Sequence, residues 1–290
     1  MLQRLACFSA AGAVSRVGAA LRPNTAGAST LAAIAVPERR IDEVANLVGA
    51  EPGVNHSYLR ENDWNIWFVA TGPNRGHVDA TLKRIEAATG LAVLDLPLVR
   101  PYHIHLGFSL DGSRQDTNAV ALADPSMLRP DDLAVLQGLA NGLAILPRPF
   151  AALADQLGRA EADVLERIRA LTAAGIISRT GIILRHRALG WRSNAMVVWN
   201  VPEADVDRVG VILAAATGVT LCYQRRPNQR HWPFNLYCMI HARSRDQALT
   251  TLGRAAAEAG IADIPHQVLF STHCFKQTGA MVVSEREAAA

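Results

Sequence analysis

Hydrophobic residues recur along this chain in two periods, and the order in which the periods appear is itself repeated. Beyond residue 128, Pro130, Asp131 and Asp132 open the apolar stretch LAVLQGLANG, where proline and acids in a first turn and a late glycine predict a helix. A loop over 143–149 leads to a second helix, FAALADQLG. The stretch EADVLERIRALTAAG then places Val164, Ile168 and Leu171 on one helical face. Residues 176–184 are β-branched with Gly181 at their centre, which predicts a two-stranded wing. Alternation at period two follows over 195–201, 218–225, 234–242 and near 267–275, with helices from Pro202 and over 245–259 between these strands. Three short helices with a wing make a winged helix-turn-helix, and βαββαβ is the ferredoxin-like order.

The same unit occurs earlier. Residues 2–21, LQRLACFSAAGAVSRVGAAL, align without a gap with 165–184, LERIRALTAAGIISRTGIIL. Val36-Pro37-Glu38 matches Val201-Pro202-Glu203, and GVNHSYLR from Gly53 matches GVTLCYQR from Gly218. Strands over 30–36, 53–60, 65–70 and near 99–108, with helices over 38–48 and 78–88, complete a first βαββαβ set. The expected fold is α+β, a duplicated unit of winged helix-turn-helix plus ferredoxin-like domain with the first winged helix truncated. Residues 1–28 are its remnant and 29–112 the first ferredoxin-like domain. A polar linker over 113–127 precedes the winged helix-turn-helix, 128–190, and the second ferredoxin-like domain, 191–290.

The 290 residues suffice for two cores. A net charge of +3 is too small to imply nucleic acid by itself. Lys83 and Lys276 are the only lysines, so arginine, the better residue for gripping carboxylates in pairs of hydrogen bonds, carries the positive charge. Cys7, Cys222, Cys238 and Cys274 have no metal-site spacing and fit a reduced compartment. No apolar run reaches the roughly 20 residues of a membrane span. The start is basic and free of acids before Glu38, as targeting peptides are, but its repeat partner is internal, so the expectation is a structural segment in a cytoplasmic protein.

Chemistry is sought where the copies disagree. Strand alternation puts Val54, His56, Tyr58 and Arg60 on one face, and Val219, Leu221, Tyr223 and Arg225 on its counterpart. Tyrosine and arginine recur; the histidine does not. Conversely Arg185-His186-Arg187, followed by Trp191, Arg192 and Asn194, stands where the first copy has Arg22-Pro23-Asn24. Arg60, Arg185, Arg187, Arg192, Arg225 and Arg226 could hold several carboxylates, and Tyr58, Trp67, Trp191 and Tyr237 could face a flat ring. His56 and His186 are the candidate acids or iron ligands, and His231, in the connection RRPNQRHWP, is placed on a lid.

Winged helix plus ferredoxin-like domain resembles the Lrp/AsnC transcription regulators. The strings GVNHSYLRENDWNIWF, ISRTGIILRHRALGWRSNAMVVWNVP, CYQRRPNQRHWPFNLYCMIHAR and YHIHLGF go further and resemble the siroheme decarboxylases of heme d1 biosynthesis. The resemblance covers almost the whole chain. It implies a cytoplasmic carboxy-lyase that converts siroheme to its didecarboxy product by non-oxidative loss of two acetate carboxyls as carbon dioxide. It also implies that two subunits of the family are joined here on one polypeptide. Carried over, the catalytic residues are His56 and His186, and the substrate-binding residues are Tyr58, Arg60, Trp67, Arg185, Arg187, Trp191, Arg192, Asn194, Arg225 and His231. No cofactor is implied, since the iron belongs to siroheme, and either histidine is a candidate ligand to it. Implied partners are siroheme and either a second copy or related decarboxylase subunits, with no membrane. The rival readings are a tetrapyrrole-responsive regulator of Lrp/AsnC type and a non-catalytic heme-binding protein. The acids of 161–174 and the missing second helix-turn-helix disfavour DNA binding.

Overall fold

A computed structural model describes residues 1–103 and 123–283, leaving aside the side chain of His186. Most of the linker expected over 113–127 lies outside these residues. The chain runs α1 (Leu2–Ala10), β1 (Val14–Leu21), β2 (Ala28–Ile34), α2 (Ile41–Ala50), β3 (Val54–Arg60), β4 (Ile66–Gly72), α3 (Arg75–Thr89) and β5 (Val93–His103). The second half continues with α4 (Asp132–Asn141), α5 (Pro149–Gln156), α6 (Glu161–Ala173), β6 (Ile177–Leu184), β7 (Ser193–Trp199), α7 (Val206–Ala215), β8 (Val219–Arg225), β9 (Leu236–Ala242), α8 (Arg245–Ala259) and β10 (His266–Gln277).

The duplication is visible in local signals. Helix α3 is capped by the Asn74 side chain, which accepts from the His77 amide, and α8 by Ser244, which accepts from Gln247. Both helices stop at a left-handed glycine, Gly90 and Gly260, a conformation that a side chain would resist. Each half forms a four-stranded antiparallel sheet, and the two sheets join edge to edge. β5 pairs with β2 and with β8, β10 with β7 and with β3, giving one closed barrel in the order β10-β3-β4-β2-β5-β8-β9-β7. Closure removes the sheet edges. It also makes the last strand of each half a member of the other half's sheet.

Outside the barrel, α2 and α3 cover one sheet over a core that includes Ile34, Val44, Phe68 and Ile85, while α7 and α8 cover the other over Trp199, Val209, Leu236 and Ile240. Inside, Leu31, Trp67, Leu96, Met196, Tyr237 and Leu269 fill the space between the sheets.

The expected wing is corrected by the pairing. β6 is a single strand, and its partner is β1, the same strand of the other copy, with Gly18 opposite Gly181 and Val17 opposite Ile182. A β-branched run with a central glycine reads equally as a hairpin or as one strand, and only the pairing separates them. Helices α4, α5 and α6 pack beneath this ribbon through Leu136, Leu139, Leu153, Val164 and Leu171. Two further corrections are local. β5 starts at Val93 rather than near residue 99. Bulges between Val54 and His56, and between Val219 and Leu221, turn Val54 and Val219 toward the helices, so neither shares a face with the residues that follow.

Candidate functional site

After its bulge β3 points His56, Tyr58 and Arg60 into the barrel. The register sets His56 beside Val69 and Tyr58 beside Trp67, both of which belong to the interior cluster. Arg60 is only 6% exposed. It donates to the Leu269 carbonyl at 3.1 Å and holds its guanidinium 5.6 Å from the Tyr58 ring. Its Nε is buried without a partner, and burial lowers its pKa to about 10. The other half repeats the arrangement: Arg225 donates to Leu96 at 2.7 Å, lies 4.6 Å from the Tyr223 ring, and has an unpartnered Nε. Two inward guanidiniums with donors to spare give the rim of this packed interior an anion-seeking character.

His56 is where the halves part. Burial, aided by the positive charge of Arg16 on β1, pulls the imidazole from 6.5 to about 4, so it is neutral at ordinary pH. Arg16 is half-buried, and its Nε also lacks a partner. Two residues on, burial and the neighbouring Cys274 push the Tyr58 hydroxyl well above its usual range, against the pull of Arg60 and Arg187. Burial likewise raises the Cys274 thiol, opposed by Tyr58, Arg185 and Arg187. The His-x-Tyr-x-Arg string of the first half is thereby brought together with Arg185 and Arg187 of the second. β10 is the strand that does this, since it pairs Cys274 with Tyr58 and Gln277 with His56.

Arg187 reaches further, donating to the Ser271 carbonyl at 3.1 Å. With Arg192, Arg243, Arg245, Ser193 and Ser271 it lines an open cleft of about 340 Å³ at the start of α8. Trp191 stands at its edge under Arg243, 5.7 Å from guanidinium carbon to ring centre.

Other expected site residues fall elsewhere. Trp67 is 1% exposed, donates to the Trp64 carbonyl and packs edge-on against Trp232 at 5.1 Å; it is a core residue of the barrel, not a wall of the site. Tyr237 is likewise buried and bonded to Trp232. His231 sits against Trp64, edge to face at 6.5 Å, where the β8–β9 connection meets the β3–β4 connection, and not with His56. Asn194 is buried on β7, its Oδ1 without a partner. His186 lies outside the described side chains.

Sequence reasoning missed Arg16, Cys274, Arg243, Ser193 and Ser271. Arg16 carried a signal, being matched by Arg179 in the repeat; Cys274 and Ser271 reach the site through the double pairing of β10, and Ser193 and Arg243 meet through the β7–β9 register. The same geometry bears on the regulator reading. Arg167, a base on α6, the helix that would face DNA in that reading, is turned inward, where it makes paired hydrogen bonds to the buried Asp132 at 2.8 and 2.7 Å. Despite burial, which raises it, the Asp132 carboxyl is held below its usual range by Arg167. That helix therefore offers one base fewer to phosphates.

Comparison with known proteins agrees with this fold. The AsnC-like ligand binding domain family matches residues 26–103 and 188–276, and the siroheme decarboxylase NirDL-like HTH domain family matches 132–177. The chain is 56% identical over 282 residues to the siroheme decarboxylase NirDL subunit of Paracoccus denitrificans, covering 97% of this chain and 87% of that one. It is 46% identical over 141 residues to the siroheme decarboxylase NirL subunit of Stutzerimonas stutzeri, covering 49% of this chain and 83% of the relative. A crystal structure of the siroheme decarboxylase NirDL superposes with a TM-score of 0.67 at 25% identity, over 99% of this chain and 84% of that one.

Proposed function

The chain belongs to the siroheme decarboxylase family, and from that premise we propose that it is a carboxy-lyase that removes two acetate carboxyls of siroheme as carbon dioxide, in heme d1 biosynthesis. The observation that carries this reading is the meeting of His56 and Tyr58 with Arg16, Arg60, Arg185 and Arg187 in one enclosed, cationic place. A flat polycarboxylate needs such a surround, with arginines for the carboxylates, a water-poor lumen, and a titratable group near the reacting carbon.

In each decarboxylation the bond from the acetate methylene to the carboxylate carbon breaks and carbon dioxide leaves. The bond's electron pair remains on the methylene, which takes one proton and becomes a methyl. No net oxidation occurs. At neutral pH His56 has no proton to give, because burial and Arg16 lower its pKa to about 4. Carboxylates entering beside Arg16 offset that charge and raise the imidazole pKa toward neutral pH, where the protonated ring works as an acid. The proton is thus loaded when substrate binds. Tyr58, whose pKa is raised, keeps its hydroxyl hydrogen throughout and serves as a fixed donor. No cofactor of the protein's own enters this reading; the iron arrives with siroheme. A second copy or a related subunit is the expected partner, and light scattering with and without siroheme decides it.

The direct test is anaerobic incubation of the purified chain with siroheme, followed by mass spectrometry. Loss of two carboxyls is expected, and unchanged siroheme would refute the assignment.

A further inference from the structure

The cleft at the start of α8 lies beyond the inward line of β3, and its composition has no structural explanation. Two serine side chains, Ser193 and Ser271, each 7% exposed, present buried hydroxyls that no group among the described residues satisfies. A buried hydroxyl without a partner costs stability, so such atoms mark places where a ligand supplies the bond. Around them stand Arg187, Arg192, Arg243 and Arg245. Among the described residues only Arg245 has a carboxylate partner, Glu61 of the other half; Arg187, Arg192 and Arg243 have none. The first turn of α8, fifteen residues long, adds its partial positive charge.

At the matching place in the first half nothing of this survives. Arg75, the counterpart of Arg245, is closed by ion pairs to Asp79 and Asp95. Pro73 stands for Arg243, Ala28 for Ser193 and Leu98 for Ser271. A scaffold requirement would have been met in both halves.

Resting on the function proposed above, we propose that this cleft is the docking site for carboxylates of the tetrapyrrole that the reaction retains, with Arg243 and Arg245 selecting substrates by their number of acid arms. Arg187 links it to the reacting end, because it touches Ser271 and also acts on Tyr58 and Cys274. At about 3.3 Å per residue, β10 covers roughly 20 Å from Ser271 beside the cleft to Gln277 beside His56. That is the scale of a tetrapyrrole with its arms extended. Arginine pairs with carboxylates through two parallel hydrogen bonds, and the serine hydroxyls complete the shell.

The experiment titrates siroheme, and separately a porphyrin with only two carboxylates, into wild type, Arg243→Gln, Arg245→Gln, Glu61→Gln and the distant charge control Arg208→Gln. Arg243→Gln and Arg245→Gln are expected to weaken siroheme binding about 10- to 100-fold each, as losing a charged hydrogen bond does. They should raise KM more than they lower kcat and barely change the two-carboxylate porphyrin. Glu61→Gln, which frees Arg245, should tighten siroheme severalfold, and Arg208→Gln should do neither. All four positions are at the surface, so folding is checked by thermal unfolding. Wild-type siroheme affinity in both arginine variants, or equal losses for both porphyrins, overturns the cleft assignment while leaving the decarboxylase reading intact. A wild type that binds siroheme through Arg243 and Arg245 but releases no carbon dioxide refutes the activity and leaves the cleft standing.

Discussion

The two halves of the barrel share a frame and differ in what they hang on it. On the inward strand of each half an arginine lies against a tyrosine and donates to the last strand of the other half, Arg60 to Leu269 on β10 and Arg225 to Leu96 on β5. Beside them one half has His56 and the other Leu221. At the helix starts one half has Arg75 sealed by two carboxylates, and the other has the open group around Arg243. Features kept in both halves serve the barrel and its lumen. Features kept in one half mark a place formed once per chain, to which β10 brings both halves.

The sharpest way to break this comparison is to exchange its odd residue. His56→Ala is expected to slow carbon dioxide release from siroheme by about a hundred- to ten-thousandfold, the usual worth of a positioned acid. Leu221→His, which restores sequence symmetry, should leave turnover within twofold, because the first copy has Pro23 and Asn24 where the second has His186 and Arg187. Equal activity of wild type and His56→Ala, read by mass spectrometry of the products, would remove His56 from the chemistry.

A second contrast concerns stability. Arg167 and Arg4 occupy the same position of the repeat, yet Arg167 is buried on Asp132 while Arg4 is exposed. Arg167→Met leaves a buried carboxylate unpaired and should cost about 3–5 kcal/mol in urea unfolding, with much of it recovered when Asp132→Leu is added. Arg4→Met should change nothing beyond about 0.5 kcal/mol. Similar losses in both would mean the two helices are held alike.

The repeat made much of this legible in the sequence. Helix α8 falls where its apolar spacing puts it, and β3, β8 and β9 follow closely, because local period and capping determine such elements. His56 and Arg187 were also readable as candidates, as mismatches between copies, and Tyr58 and Arg60 as positions kept in both. What was not readable depends on partners distant in the chain. Nothing in residues 266–277 announces that they pair with two sheets at once, so Cys274 and Ser271 passed unnoticed. Trp67 looked like a ring-binding surface because an inward aromatic can face either a ligand or the opposite sheet, and here the sheet claims it.

Gly18 and Gly181 give a smaller test, since they face each other across the ribbon. A Cβ on Gly18 would collide with the Leu139 carbonyl of α4, whereas one on Gly181 would meet open space. The cause is that α4 packs on β1 alone, where the Leu143 amide also bonds to Val17 at 2.6 Å. Gly18→Ala should therefore cost about 1–3 kcal/mol, as overpacking does, and Gly181→Ala should stay within about 0.5 kcal/mol. Matching melting temperatures for the two variants would contradict the one-sided packing.

The last contrast, Arg16 against Arg179, reads the field at His56 without any substrate. The two arginines match in the repeat, and burial lowers the pKa of both, but only Arg16 acts on His56. Arg16→Gln should move His56 upward from about 4, though not to 6.5, because burial is the larger cause and remains. Arg179→Gln should leave it in place. Ring-proton NMR titration measures both. The sign carries over to stability: between pH 6.5 and about 4 the unfolded chain takes a proton at this histidine before the folded one does. The contribution of His56 is therefore complete above 6.5 and is lost as pH falls toward 4. In Arg16→Gln that window narrows from below and the acid loss shrinks. An unchanged titration in this variant would leave burial alone to explain the neutral imidazole, and the loading of the proton by incoming carboxylates would lose its basis.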